Sequence, residues 1–384
     1  MATSYLSRTI TPSTINKKRF TFSAWVKIDN LTAEGDILSF NGSTDYTALR
    51  IKNADRIDFI TYDGGVNARR VSTAKYRDCS AFYHVVLSVN SDDATADDRI
   101  KIYVNGERLT AFDSSVNPSS GFEFINNNKV NLNIGSNVDQ TPTRWYFGGI
   151  MSHVHFIDGL TYDASAFGET DVTTGIWKPI TAPSVTYGTN GFFLKGENSG
   201  ALGTDSSGNG NDFTINGTPT QTVDTPSNVF ATMNPLYRTT NINFSNGNNT
   251  ITSSSGSWNA PASTLAASTG KWYVEGKTTG YNHNAVGVAS NPNDNSAGYP
   301  FEIAGGYGYK LYTGGTTTQG ADNVSYGDTL ANGDIFQIAL DLDNSKIYFG
   351  KNGTWQNSGV PTSGATGTGA AFTLPSNETY HFVN

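Results

Sequence analysis

The 384-residue chain has a single cysteine, Cys79, so no disulfide can form within it. Cys79 stands beside the apolar run Phe82–Val89 and reads as a small residue at a core edge, not a reactive thiol. Charge is scarce as well. Only 15% of residues are charged, and 25 Lys plus Arg face 33 Asp plus Glu, a net charge of −8. That balance argues against nucleic acid as a partner, because phosphate binding needs clustered cations. The one dense basic run, Lys17-Lys18-Arg19, reads as the polar start of a strand. No apolar run reaches the roughly 20 residues of a membrane helix, and no membrane insertion is expected. The N-terminal MATSYLSRTITPS carries neither a basic n-region nor an apolar h-region, so no secretory signal is expected either. Assembly in a cell's cytoplasm and release by other means fits that reading.

What is plentiful is glycine (41), tyrosine (19) and phenylalanine (21), with Asn, Ser and Thr crowded between them. Aromatics fill pleated faces and small polar residues make turns, so this is a turn-rich β composition and not a disordered one. The length allows two or three domains.

Two phrases carry the fold class. In Arg99–Leu109, Ile100, Ile102 and Val104 alternate with Lys101 and Tyr103 before Asn105-Gly106. In Asp334–Trp355, Phe336, Ile338, Leu340 and Leu342 share one strand face, Asn344-Ser345 reverses the chain, and Ile347 and Phe349 lead to Asn352-Gly353. Period-two alternation closed by Asn-Gly predicts a hairpin, because the tight turn needs positive φ. Further strands are predicted at Phe20–Val26, Ile37–Phe40, Ala48–Ile51, Ile57–Tyr62, Phe82–Val89, Asn131–Ile134, Met151–Ile157, Gly191–Lys195 and Phe213–Asn216. In the second half they fall at Lys271–Lys277, Ala285–Ala289, Lys310–Tyr312 and Ala371–Leu374, and short helical turns are predicted at Ala164–Phe167 or Thr264–Ala267. The fold class is all-β, two tandem antiparallel β-sandwiches, with the first over residues 1–238 (core about 17–160) and the second over 239–384.

The phrases RFTFSAWVKI, HVVLSVN, DDRIKIYVNGERL and WYFGGIMSHVHFIDGLTYDASAFGE resemble the laminin-G-like, concanavalin-A-like jelly roll. More narrowly, they resemble the version found in virion structural proteins of tailed bacteriophages, marine ones in particular, and TGIWKP, YGTNGFFLKG and LGTDSSGNGNDFT strengthen that likeness. TGKWYVEGKTTG, VGVAS and GDIFQIALDLDNSKIYFGKNGTW resemble a SPRY-type sandwich. SPRY-like domains close on a strand reading Asn-Phe-Gly-Gln, whereas this sequence stops at NETYHFVN, so a C-terminal truncation is expected. The resemblance implies a virion localisation, other virion proteins as partners, and a homo-oligomer, with a trimer as the fibre-like form. The expected function is a tail-fibre or spike component that recognises a host-surface glycan. The alternatives are a purely structural capsid or tail decoration protein and, less favoured, a glycan depolymerase.

The glucanases of the resembled fold supply paired carboxylates as Glu-x-Asp-x-x-Glu, and no such phrase occurs here. Asp341 and Asp343 alternate with Leu340 and Leu342, which predicts a solvated strand end, so no enzyme is expected. His153 and His155 stand at i, i+2 with Asp158 as the one further ligand in reach, and they read as imidazoles on a sheet face. Calcium is the better metal question, as hard cations take loop oxygens. Asp205, Asn209 and Asp212 form one candidate loop and Asp92, Asp93, Asp97 and Asp98 another; otherwise both are ordinary turns. For a sugar, the segment Gly135–Phe147 offers Asn137, Asp139, Gln140, Arg144, Trp145 and Tyr146. Asn291–Tyr299 and Lys351–Trp355, with Trp355, offer similar mixtures of aromatic and polar groups.

Overall fold

Arg19–Ile28, RFTFSAWVKI, is a strand in which every residue after Arg19 is buried. Phe20, Phe22, Ala24 and Val26 enter one core, while Trp25, pointing the other way, stacks on His84 at 4.7 Å. Burial of both faces explains why the phrase is apolar almost throughout. In this computed structural model the residues described are 4–384 apart from 30, 32–33, 43, 53, 127, 138–144, 238–240, 254–260, 280–283, 293–300, 302–303 and 320. The chain divides into two units, Met1–Phe230 with Ser245–Gly247, and Ala231–Phe244 with Asn248–Asn384. Both are antiparallel β-sandwiches, and among the described residues helices are limited to short 3-10 turns. No helix is long and apolar enough to cross a membrane.

The first unit has an eight-stranded sheet in the order β10 (Phe112–Val116), β6 (Val66–Ser72), β5 (Arg56–Tyr62), β4 (Tyr46–Lys52), β3 (Gly35–Asn41), β11 (Asn131–Ile134), β1 (Tyr5–Thr9), β16 (Thr214–Asn216). It faces a six-stranded sheet in the order β15 (Phe192–Leu194), β12 (Gly149–Asp158), β2 (Arg19–Ile28), β7 (Tyr83–Asn90), β8 (Ile100–Val104), β9 (Glu107–Arg108). Phe20, Phe40, Phe124 and Phe156 meet in the core between them. Each such ring contributes roughly 1.5–3 kcal/mol when fully buried. The outer side of the six-stranded sheet is covered too. Phe167, Trp177 and Tyr187 close over Val86 and Ile157, aided by the ribbon β13 (Gly168–Thr170) and β14 (Trp177–Pro179).

A short ribbon, β17 (Ile242–Ser245) with β18 (Thr250–Ser253), precedes the second sandwich. That sandwich has one sheet ordered β19 (Ala262–Ala267), β29 (Tyr380–Val383), β21 (Ala285–Ala289), β22 (Gly306–Lys310), β23 (Gly315–Thr318), β24 (Ala321–Ser325). The other runs β20 (Lys271–Lys277), β25 (Ile335–Asp341), β26 (Lys346–Lys351), β27 (Thr354–Trp355), with β28 (Phe372–Thr373) also on β26. Val286, Tyr309, Ile338, Leu340, Phe349 and Tyr380 fill the space between them.

Both Asn-Gly hairpins form as expected: Asn105 and Gly106 have φ of 50° and 90°, and Asn352 and Gly353 have 47° and 85°. Three expectations are corrected. Ala262–Ala267 is a strand where a helical turn was predicted at Thr264–Ala267, because Ala266 and Ala267 pair with His381 and Tyr380, and pairing overrides local propensity. Asp341 is buried, not solvated, with Lys271 Nζ at 2.8 Å from Oδ2 and Asn344 donating to both oxygens. His153 and His155 do not form an even pair on the sheet, since the register shifts between Ser152 and His155 and His153 takes φ 47°. The single cysteine behaves as expected; it is buried, and burial pushes its thiol up to about 12.

Candidate functional site

The alternation of β4 and β5 sends Leu49, Ile51, Ile57 and Phe59 into the core, so Arg50 and Asp58 point to the opposite face of the eight-stranded sheet. They are opposite each other in register. Arg50 Nε and Nη2 donate to Asp58 Oδ2 at 3.2 and 3.1 Å, and Arg69 of β6 donates to both oxygens of the same carboxylate. Asp58 is fully buried and Arg50 is 1% exposed. On the same face, Tyr46 and Tyr62 stack at 5.7 Å and 12°.

Gly135 and Ser136 on one side, and Trp145 on the other, are stitched to β3 beside this face. Gly135 N–H donates to Ile37 O at 3.0 Å, Ser39 Oγ donates to Ser136 O at 2.6 Å, and Asp36 N–H donates to Trp145 O at 3.1 Å. A glycine at 35 is required for that approach, since a Cβ there would lie 2.6 Å from Phe147 Cα. The Trp145 ring then sits 4.8 Å from the Arg50 guanidinium carbon, a cation–π contact.

Beneath Trp145 lies a set of buried polar groups. Asp36, Asn133, Ser136 and Asn137 are each 1% exposed or less. Asn133 Nδ2 and Ser136 Oγ have no hydrogen-bond partner among the described residues, while the Asp36 carboxyl and the Asn137 amide face each other, and Arg50 faces Tyr46, without well-formed bonds. Leaving one such atom unmet costs roughly 1–3 kcal/mol, so the concentration of such groups makes this face the candidate site. Burial pushes the Asp36 carboxyl up to about 7, with Arg50 and the nearby Asn137 amide pulling the other way. The set offers acceptors and donors together, beside the rings of Trp145, Tyr46 and Tyr62. That combination suits a molecule with hydroxyls on its rim and an apolar face.

Of the residues singled out from sequence, Asn137 and Trp145 belong to this set. Tyr146 is next to it; its backbone bridges to Asp36 and its ring stands 6.1 Å from Tyr5. Asp139, Gln140 and Arg144 lie outside the described residues, as does most of Asn291–Tyr299, and Trp355 belongs to the second unit. Asp36, Arg50, Asp58 and Asn133 were missed. Their one signal is a charged or amide residue inside an apolar strand, which ordinarily denotes a solvated face.

The two acidic loops are held by bonds of their own. Asp205 accepts from the backbone N–H groups of Phe193, Ser207 and Asn211 and from Ser207 Oγ, all at 2.8–2.9 Å. Asp212 Oδ1 accepts from Asp205 N–H at 2.8 Å, and Asn209 donates its amide to Gly188 O and Gly191 O. These carboxylate oxygens accept from N–H and O–H donors of their own loop, the bonding of a self-held turn. In the other loop Asp98 pairs with Arg108, Asp92 with Lys18, and Asp93 caps Thr95 N–H. Among the described residues no cluster of three or more His, Cys, Asp or Glu is placed to hold a metal.

One arrangement imitates a nucleophile and its base. His84 Nε2 lies 2.8 Å from Ser23 Oγ, and both are buried. Trp177 Nε1–H donates to His84 Nδ1 at 3.0 Å, which makes Nδ1 the acceptor and leaves the proton on Nε2. His84 therefore donates to Ser23 and cannot take its proton, the reverse of what activation requires. Burial lowers its pKa to about 3, and the buried His155 is likewise held well below the usual range.

Residues 3–165 match a family model described as the Concanavalin A-like lectin/glucanases superfamily, a stretch that contains β1 to β12. No curated protein matches the chain. Among solved structures, it is similar to the SPRY domain of human HERC1, with 18% identity over 35% of this chain and 77% of that one, TM-score 0.28. It is also similar to a SAP-like pentraxin from Limulus polyphemus, with 15% identity over 40% and 69%, TM-score 0.30. A third similarity is to the CBM40 of Ruminococcus gnavus IT-sialidase bound to α2,3-sialyllactose, with 22% identity over 34% and 71%, TM-score 0.26.

Proposed function

We propose that this chain is a non-catalytic recognition protein whose first sandwich binds a glycan on the outer face of its eight-stranded sheet. The observation that carries the reading is the set of buried polar groups beside Trp145, among them Asn133 Nδ2 and Ser136 Oγ, which have no hydrogen-bond partner among the described residues. Asp36 accepts hydrogen bonds from hydroxyls, Arg50 Nη1 and Asn133 Nδ2 donate, Asn137 does both, and Trp145 meets the C–H face of the sugar. The match of residues 3–165 to a superfamily whose description names lectins supports it. That description names glucanases as well, but hydrolysis needs two carboxylates free to act on one bond. Asp58 is clamped by Arg50 and Arg69 and is not free to protonate or attack.

The setting we propose, carried by the sequence phrases resembling phage virion proteins, is a tail-fibre or spike component, assembled as a homo-oligomer with other virion proteins and meeting a host-surface glycan. Capsid or tail decoration is the second reading. Two measurements test these. Isothermal titration of the full chain with host-surface polysaccharide should give binding that Asn137→Ala and Trp145→Ala weaken at least about tenfold at the first-unit site; equal binding by the variants rules this face out. Immunogold electron microscopy of purified particles with antibody to the chain should label tail tips or fibres. Label spread over the head would make it a decoration protein, and unlabelled intact particles would end the virion reading.

A further inference from the structure

In the second unit, β20, β25 and β26 turn Val274, Ile338, Ile347 and Phe349 to the core, so Tyr273, Glu275 and Gln337 stand on the other face. Trp355 joins them there, because it pairs with Gly350 across β26 and β27, and Gly350 also pairs with Gln337. Tyr273 is 52% exposed. Its ring and that of Trp355 lie 6.3 Å apart at 81°, two walls of a corner.

Three hydrogen bonds in series fix the polar side of the corner. Gly353 N–H donates to Gln337 Oε1 at 2.6 Å. That sets which end of the amide is nitrogen, and Nε2 donates to Tyr273 Oη at 2.9 Å. Having accepted from Gln337, the phenol donates to Glu275 Oε2 at 2.6 Å. Long exposed side chains ordinarily rotate freely, and each one held in place carries an entropic cost that a ligand would otherwise have to meet. Here the protein has met it in advance. The second proton of Gln337 Nε2 and Glu275 Oε1 take no part in the series, so a donor and an acceptor stand ready beside two ring faces. Gly350 makes the indole's position attainable, as a Cβ there would lie 3.1 Å from Trp355 Cε3 and 3.2 Å from Gln337 Oε1.

We propose that this corner is a second carbohydrate site, built for an uncharged sugar ring. A pyranose offers a C–H face for the indole or phenol and hydroxyls that both give and take hydrogen bonds, which matches this set group for group. Glu275 has no ion-pair partner among the described residues, so an anionic sugar would meet a bare carboxylate and be rejected. The corner differs in this from the first sandwich, where Arg50 and Arg69 line the face.

The test is titration of the full chain, followed by chemical-shift or calorimetric readout, with neutral oligosaccharides (glucans, mannans, galactans) and with sialylated and uronate-containing counterparts. Wild type should bind a neutral member and none of the acidic ones at this corner. Tyr273→Ala should weaken that binding at least about tenfold, roughly 1.4 kcal/mol. Tyr273→Phe keeps the ring and the strand while cutting the series of bonds, and it should weaken binding as well, with the melting temperature recording that the fold is intact. Glu275→Gln should admit acidic sugars. Trp145→Ala in the first unit should leave this binding unchanged. Failure of every neutral saccharide to bind, or equal affinity in wild type and both Tyr273 variants, overturns the inference. Binding lost in Trp145→Ala but kept in the Tyr273 variants would overturn it and leave the first site standing.

Discussion

Lys27 Nζ lies 2.7 Å from Asp224 Oδ2, and both side chains are buried although 197 residues separate them. Lys27 also donates to Phe230 O at 3.1 Å, and Asp224 Oδ1 accepts from Phe230 N–H. The segment closing the first unit is thus locked to β2. Removing one partner strands a buried charge, so Lys27→Met alone should cost about 3–5 kcal/mol in urea unfolding. The double variant Lys27→Met/Asp224→Leu should recover most of that loss. If the single variant unfolds like wild type, the pair is not closed in solution.

Asp36 gives the first unit a pH slope of definite sign. Its folded carboxyl titrates near 7 and its unfolded one near 3.8, so between those values the folded state holds the extra proton. Stability therefore falls as pH rises from about 4 to 7. Asp36→Asn should remove that slope, melting above wild type at pH 8 and close to it at pH 4. Thermal melts of both proteins across that range check it, and parallel curves would refute it.

The slope from His84 runs the other way. Burial holds its folded pKa at about 3 against an ordinary 6.5, so its unfolded form takes up protons first as pH falls. Stability is lost on going from about 6.5 toward 3. His84→Gln keeps an acceptor for Trp177 and a donor for Ser23 but cannot titrate. Melts of this variant should fall less steeply with acid than those of wild type, and an unchanged acid limb would mean another group sets it.

Asp205 tests whether its loop is a turn or a cation site. With its oxygens taken by the N–H groups of Phe193, Ser207 and Asn211, Asp205→Ala should destabilise the first unit by roughly 3 kcal/mol or more. Calcium and chelator should each leave the wild-type melting temperature where it is. A calcium-dependent rise that disappears in Asp205→Asn would show the loop rearranging around an ion.

The strands that sequence revealed are those with an unbroken rhythm, such as Ile100–Val104 and Ile335–Asp341, where one face is apolar and the other is not. Val66–Ser72 escaped notice because VNARRVS breaks that rhythm with Arg70, which is buried at 2% exposure. Asn137, Trp145 and Tyr146 were legible as aromatic and amide groups between strands. Arg50 and Asp58 were not, although LRI and IDF display them plainly. Only the register between β4 and β5, and Trp145 stitched to β3 over Arg50, turn two apparent surface charges into a buried pair. The Asp205 loop shows a different limit. Oxygen-bearing residues spaced by glycine are common to calcium loops and self-bonded turns, and the difference lies in where the backbone N–H groups point.

Tyr380–Val383 is the second strand of its six-stranded sheet, with the edge strand Ala262–Ala267 on one side and Ala285–Ala289 on the other. Its two neighbours are made more than 90 residues earlier on the ribosome, yet they share no ladder until this strand arrives. During synthesis the second sandwich therefore waits with a slot one strand wide and two unpaired edges facing it. Any extended segment of suitable pattern could occupy that slot first, including the same strand from a neighbouring nascent chain. The order of the strands thus makes the pairing of Tyr380–Val383 the step that commits the sheet to a self-contained or an exchanged fold.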